Sequence, residues 1–353
     1  MSNVILGGDR DDDGPQPYRV IVPSIEVDRL LYLPDGRLVS GDTVDGTVTF
    51  WNVEEEKQES TLLHDKDEMW DLALTGDGKR IISSDKKGRV KVLDVELDKV
   101  VKEWLHPEVP ALVSVSPDNR LVAVGSKKIF IHAIEGWEVQ QTIEVGDHPR
   151  CMSFSPAGNK LACSTKFDIH VYDVDSGALI LGPLTRHRDK IRAVLWSRDG
   201  RRLFSGSYDK TIRCWNANTG IQIGYSWTGH NEGITSLSLS PDGSILASGS
   251  LDDTIRFWNA TTGDPIGQPL RHRSLVWNIC FSPSGEFVAS IASNEIYVWQ
   301  VPKLDTVCRS IHFAVFALIS SRHIQTRSTL AIHVTRSHSH LHIPHNLPVP
   351  NDC

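Results

Sequence analysis

The sequence predicts an all-β ring of seven repeated four-stranded units, closed by a strand from its own N-terminal side and followed by an irregular C-terminal tail. Three observations carry this. First, the stretch from His187 to Gly220 superimposes on that from His230 to Gly263 at an offset of 43 residues, with His, Asp-Gly, Ser-Gly-Ser, Asp, Trp-Asn and Thr-Gly at matching places. Second, the last residue of the Asp-Gly-type turn recurs at Gly36, Gly78, Asn119, Gly158, Gly200, Gly243 and Gly285, in steps of 42, 41, 39, 42, 43 and 42. Third, each unit holds short strand-type runs separated by turn residues. In one unit these are Ile234 to Ser240, Ile245 to Ser250 and Thr254 to Asn259, with a weaker fourth run at Pro265 to Leu270. The tripeptide Pro241-Asp242-Gly243 is a tight turn, because proline presets φ and glycine accepts φ > 0. Four antiparallel strands in about 40 residues make a propeller blade, and stacking blades around an axis buries the faces that one blade leaves open.

Residues His187, Asp199-Gly200 and Trp215-Asn216, with their counterparts His230, Asp242-Gly243 and Trp258-Asn259, resemble the WD40 repeat. The resemblance implies a hydrogen-bond network that links a His, a Ser, an Asp and a Trp. Here those positions are His187, Ser205, Asp209 and Trp215, then His230, Ser248, Asp252 and Trp258. A buried Trp N–H needs an acceptor, a carboxylate fixes the His tautomer, and an unpaired member costs ~1–3 kcal/mol. Ser, His and Asp together also suggest a catalytic triad. The set is read as architecture, because a triad needs an exposed nucleophile beside oxyanion donors and because this set occurs twice.

Taken in order, unit one starts near Val27. Its third strand is Thr47 to Asn52, with Ser40, Asp45 and Trp51 at network positions and no preceding His. Unit two begins at His64, with Leu93-Asp94 for Trp-Asp and Lys87 in the Asp slot. Unit three begins at His106 and has no Trp on its third strand, Lys128 to His132. Unit four begins at His148, carries Lys166 in the Asp slot and ends its third strand at Tyr172-Asp173. Units five and six are complete. Unit seven begins at His272, shortens its turn to Ser293-Asn294 and ends at Trp299-Gln300. It then lacks a fourth strand, while the β-type run Tyr18 to Val22 stands alone before unit one. Joining the two closes the ring and removes both open edges. The expected layout is an acidic, disordered start over 1–16, a propeller over 17–303 and a His-rich, disordered tail over 304–353.

Composition bounds the function. Charged residues make up 23 % and hydrophobic residues 40 %, ordinary globular usage. The net charge of −7 argues against bulk nucleic-acid binding. The tail has four Arg against Asp305 and Asp352, a balance of +2, which leaves −9 on the rest. No run approaches the ~18 apolar residues of a membrane span, and Met1 to Gln16 does not read as a signal peptide. Six cysteines show no paired spacing. Cys151, Cys163, Cys214 and Cys280 fall in strand runs, which fits a reducing compartment, the cytoplasm or nucleus. No phosphate loop, nucleophile elbow, metalloprotease helix or paired-Cys motif is present, so the sequence indicates no enzyme and no cofactor. The alternating His338, His340 and His342 of the tail do not make a convincing metal site.

The resemblance implies a rigid platform for other proteins, with peptides docking on the loop-bearing top face. One top-rim position per unit reads Asp28, Trp70, Ala111, Arg150, Arg192, Thr235 and Trp277, and the residue before the turn Asp adds Tyr208 and Leu251. Trp, Arg and Tyr are hot-spot residues. The flanking loops add Arg186, Arg188, Lys190, Arg271 and Arg273. The expected partner-binding set is Trp70, Arg150, Arg192, Tyr208, Leu251, Trp277, Arg188 and Arg273, on a monomeric propeller, with acidic or phosphorylated peptides as ligands. The alternative is a nucleic-acid or chromatin contact through the basic loops.

Overall fold

The computed structural model describes residues 14–23, 26–63, 68–107, 109 and 111–303. Among these, 28 strands form seven four-stranded antiparallel sheets and there is no helix. The first residue of unit two, His64, and the tail 304–353 lie outside the described residues. In each blade the strands run a, b, c, d from the axis outward. Blade five shows the pattern, with Ile191–Trp196, Arg202–Ser207, Ile212–Asn216 and Gln222–Trp227.

Middle strands are buried on both faces, so they read as apolar runs rather than as alternation. Successive side chains point to opposite faces. In blade five, Leu203 packs with Ala162 and Val171 of blade four, while its neighbour Phe204 packs with Ile234 and Leu237 of blade six. Trp215 and Cys214 divide the same way. Each large side chain so buried stabilises the stack by about 1.5–3 kcal/mol. The outer strands face water: Val139–Glu144 is mostly polar, while Lys99–Leu105 alternates charges with exposed Val100, Val101 and Leu105.

The turns follow from residue chemistry. Gly200 and Gly243 adopt φ of +67° and +75°, and in blade three Asn119 takes the same place at +60°. Asn tolerates the left-handed region because its short amide bonds locally. The two-residue turn of blade seven, Ser293 and Asn294, has φ of +49° and +64°, the conformation of a tight hairpin.

Closure is as the strand accounting requires. Arg19–Ile21 pairs antiparallel with Glu295–Gln300, matching Arg19 to Val298, Val20 to Tyr297 and Ile21 to Ile296. The Tyr18 N–H donates to the Val298 carbonyl at 2.7 Å. The strand is shorter than the expected Tyr18 to Val22, and Val22 is 69 % exposed. Ile21 is the anchor. It packs with Ile291, Ile296 and Val298 of blade seven and with Val27, Leu30, Leu38 and Trp51 of blade one.

Candidate interaction face

The two complete networks form as expected. In blade five, His187 Nδ1 lies 2.8 Å from Asp209 Oδ2 and its Nε2 lies 2.7 Å from Ser205 Oγ, which accepts the Trp215 indole N–H at 2.9 Å. Blade six repeats this, with His230 3.0 Å from Asp252 Oδ2, 2.7 Å from Ser248 Oγ, and the Trp258 N–H on Ser248 at 2.8 Å. Burial alone raises the pKa of Asp209. Hydrogen bonds from His187 and Thr211 outweigh it and hold the carboxyl well below its usual range, and Asp252 is held down likewise. Both serines are fully buried with their oxygen engaged on both sides, an arrangement for holding sheets in register.

The other blades keep fragments. In blade one the Trp51 N–H donates to Ser40 Oγ at 2.8 Å. In blade two Asp85 supplies the turn carboxylate. It accepts the backbone N–H of Lys87 at 2.8 Å and pairs with the Arg89 guanidinium at 2.8 Å. In blade three His106 meets Phe130 edge-on, with ring centroids 5.1 Å apart. His148, expected to open the network of blade four, instead lies 2.6 Å from Ser126 Oγ of blade three, and Ser164 turns to Cys151 Sγ at 3.0 Å. In blade seven the Trp299 N–H donates directly to His272 Nε2 at 3.1 Å.

Four of the seven top-rim positions share a backbone cause. The inner strand is bulged between Met69 and Asp71, Ile191 and Ala193, Ile234 and Ser236, and Val276 and Asn278. The extra residue in each is Trp70, Arg192, Thr235 or Trp277. A bulge re-aims the side chain it carries. Trp277 is left 43 % exposed and Trp70 half-buried. The Arg192 guanidinium lies 5.7 Å from the Tyr208 ring centroid, so two expected residues meet in a cation–π pair. Arg150, Arg188 and Arg273 are exposed and Leu251 is half-buried.

Two rim positions are not available to a ligand. Ala111 is fully buried, and Thr235 is buried with its hydroxyl donating to the carbonyls of Gly249 at 3.0 Å and Val276 at 2.6 Å. Spacing alone placed them on the ring; their small side chains fill the joints between blades. Sequence reasoning also passed over Asp71. Its carboxylate takes Arg29 Nε of blade one at 3.4 Å and the Val113 N–H of blade three at 3.0 Å, so one side chain ties three blades. Burial pushes its pKa up, against the pull of Arg29. The signal was a lone acid in the apolar run Met69 to Leu74.

Comparison with known proteins agrees with this geometry. The family described as WD domain, G-beta repeat matches residues 180–216, 222–259 and 263–300, each ending at the Trp-bearing strand of blades five, six and seven. The chain is 29 % identical over 202 residues to WD repeat-containing protein 1 of Rattus norvegicus, covering 53 % of this chain and 33 % of the relative. It is 24 % identical over 203 residues to Periodic tryptophan protein 2 of Arabidopsis thaliana, covering 56 % and 22 %. It is 30 % identical over 147 residues to Cross-pathway control WD-repeat protein 2 of Flammulina velutipes, covering 35 % and 46 %. The chain thus spans about a third of the length of the first of these. Residues 180–300 thus carry three WD40 repeats by family match, and they form blades five to seven of a closed ring of seven four-stranded blades.

Proposed function

We propose that the protein is a non-catalytic interaction scaffold that grips partner peptides on the top face of its propeller. The observation that carries this is the set of bulged inner strands, in which Trp70, Arg192 and Trp277 are the extra residues at equivalent positions of separate blades. Rigid aromatic and guanidinium groups on a stiff platform lose little entropy on binding. Arg192 over Tyr208, with Arg188 exposed four residues before it and Arg150 exposed at the corresponding place in blade four, favours acidic or phosphorylated peptides. We read the propeller as a monomer. Its free Cys151, Cys163, Cys214 and Cys280 support a reducing, cytoplasmic setting. The test is capture of partners by the full chain and by the triple variant W70A/R192A/W277A. Partner binding is expected to fall at least about tenfold, the loss of one hot-spot contact. Unchanged capture by a variant that melts like the parent would refute the assignment.

A further inference from the structure

Blade five carries a tryptophan where its neighbours carry an apolar plug. Its outer strand, Gln222–Trp227, pairs Trp227 with Ile212, and the same register holds Leu184 in blade four and Leu270 in blade six. Trp227 fills the joint as a leucine would. It is 9 % exposed, with ring centroids 5.7 Å from Phe204 and 6.1 Å from Trp258. It also adds a donor. Trp51, Trp196, Trp215, Trp258 and Trp299 each give their indole N–H to an acceptor inside the propeller. The Trp227 N–H meets none among the described residues, and unlike the sealed Trp104 N–H it keeps contact with solvent. Its nitrogen lies over Gly263, where a Cβ would stand 2.2 Å away.

Trp227 and Gly263 both line a slot of about 370 Å³ between the outer strand of blade five and the c–d turn of blade six. Ile223 and Tyr225, 39 % and 93 % exposed, form one wall, and Thr262 and Pro265 belong to the other. No charged side chain lines it. The strand edge beside it is broken. Ile212 pairs with Trp227 and Cys214 with Ile223, so Gly224, Tyr225 and Ser226 bulge out opposite Arg213 alone, with Gly224 at φ of +65°. Such a bulge interrupts the row of backbone groups that an added β-strand would pair with. Electrostatic complementarity then selects the occupant. An uncharged slot whose one buried free polar group is a donor fits an uncharged chain rich in acceptors. A polyproline II segment meets these terms. Its backbone carbonyls are unpaired, proline has no N–H to leave unsatisfied, and prolyl rings pack on aromatic side chains. The slot offers no carboxylate or amide side chain to hold the paired hydroxyls of a sugar.

We propose that this slot on the outer edge of the propeller binds a proline-rich segment of a partner protein in the polyproline II conformation. A prolyl ring packs on Tyr225, and a backbone carbonyl of the segment accepts the Trp227 indole N–H. The proposal does not rest on the top-face reading, because Trp70, Arg192 and Trp277 take no part in it.

The test uses the full-length protein with nitrogen-labelled tryptophan, titrated with capped hexaproline and with a capped Gly-Ser peptide of equal length. The Trp227 indole signal is assigned by its loss in W227F. Hexaproline is expected to move that signal saturably, in the direction of a new hydrogen bond, and the Gly-Ser peptide is expected to leave it in place. Y225A, which alters a side chain 93 % exposed and should fold normally, is expected to bind hexaproline at least about tenfold more weakly, the loss of one hot-spot contact. W70A/R192A/W277A is expected to bind hexaproline like the parent; weaker binding there would move the peptide to the top face and overturn the proposal. An unmoved Trp227 signal, an equal response to the Gly-Ser peptide, or undiminished affinity in Y225A would overturn it as well. So would tighter binding of maltohexaose than of hexaproline, which would assign the slot to an oligosaccharide.

Discussion

Removing the sealing strand tests whether the ring depends on it. Three residues, Arg19–Ile21, complete blade seven, and only Ile21 among them is fully buried, at 2 % exposure. Ile21→Ala removes most of a side chain lodged between Ile296 and Val298 of one blade and Leu30 and Trp51 of the next. A buried Ile→Ala change costs about 2–5 kcal/mol. This site lies at a joint between blades, where collapse would shift a whole sheet, so about 3 kcal/mol is expected. In a domain of this size that lowers the melting temperature by roughly 5 °C. Val22→Ala is the control, because that side chain is 69 % exposed, and its melting temperature should stay with the parent. Deleting residues 17–23 goes further. It exposes one edge of Glu295–Gln300 and removes the apolar seal, so unfolding or aggregation is expected. The measurement is thermal unfolding followed by tryptophan fluorescence, with light scattering for aggregation. A deletion variant that stays monomeric and melts within about 2 °C of the parent would show that the ring does not depend on its N-terminal strand.

Ser248→Ala leaves the Trp258 N–H and His230 without their shared partner and should cost about 2–4 kcal/mol in denaturant unfolding. Ser290→Ala should cost visibly less, because Trp299 donates to His272 itself; equal losses would contradict the described geometry. Gly263→Ala should destabilise by more than about 2 kcal/mol. Its φ is +81° and a Cβ would stand 2.2 Å from Trp227 Nε1, so a wild-type melting curve would disprove that close approach. Acid should act in two stages. Burial pushes His272 down to about 4 from an ordinary 6.5, so the unfolded chain binds a proton there that the folded chain refuses. Stability is then full above about pH 6.5 and declines toward pH 4 by about 3 kcal/mol. Asp209 and Asp252 are depressed, so their contribution is present above about 3.8 and is lost at lower pH. Urea unfolding across pH 3 to 8 measures both stages, and a flat profile between pH 6.5 and 4 would contradict the burial of His272.

The ring was legible because its determinants are local and repeated. A Gly or Asn at the seven turns and a buried run on the middle strands leave marks that recur every 39 to 43 residues, and blades one, five, six and seven add a Trp on the third strand. Even the seal could be read, since a lone strand run at the start and a missing strand at the end require each other. Less legible was what depends on the packing of unlike neighbours. Position along the inner strand identified the bulged residue correctly at Trp70, Arg192 and Trp277, but the same position is closed at Ala111 and Thr235, where the side chain is small enough to sink into the joint. The network motif likewise revealed which residues are present, not where a residue turns when its partner is missing. His148 reaches back to blade three, Asp85 turns to Arg89, and Trp299 takes His272 directly. Each substitute satisfies a buried polar group by a route that sequence spacing does not encode.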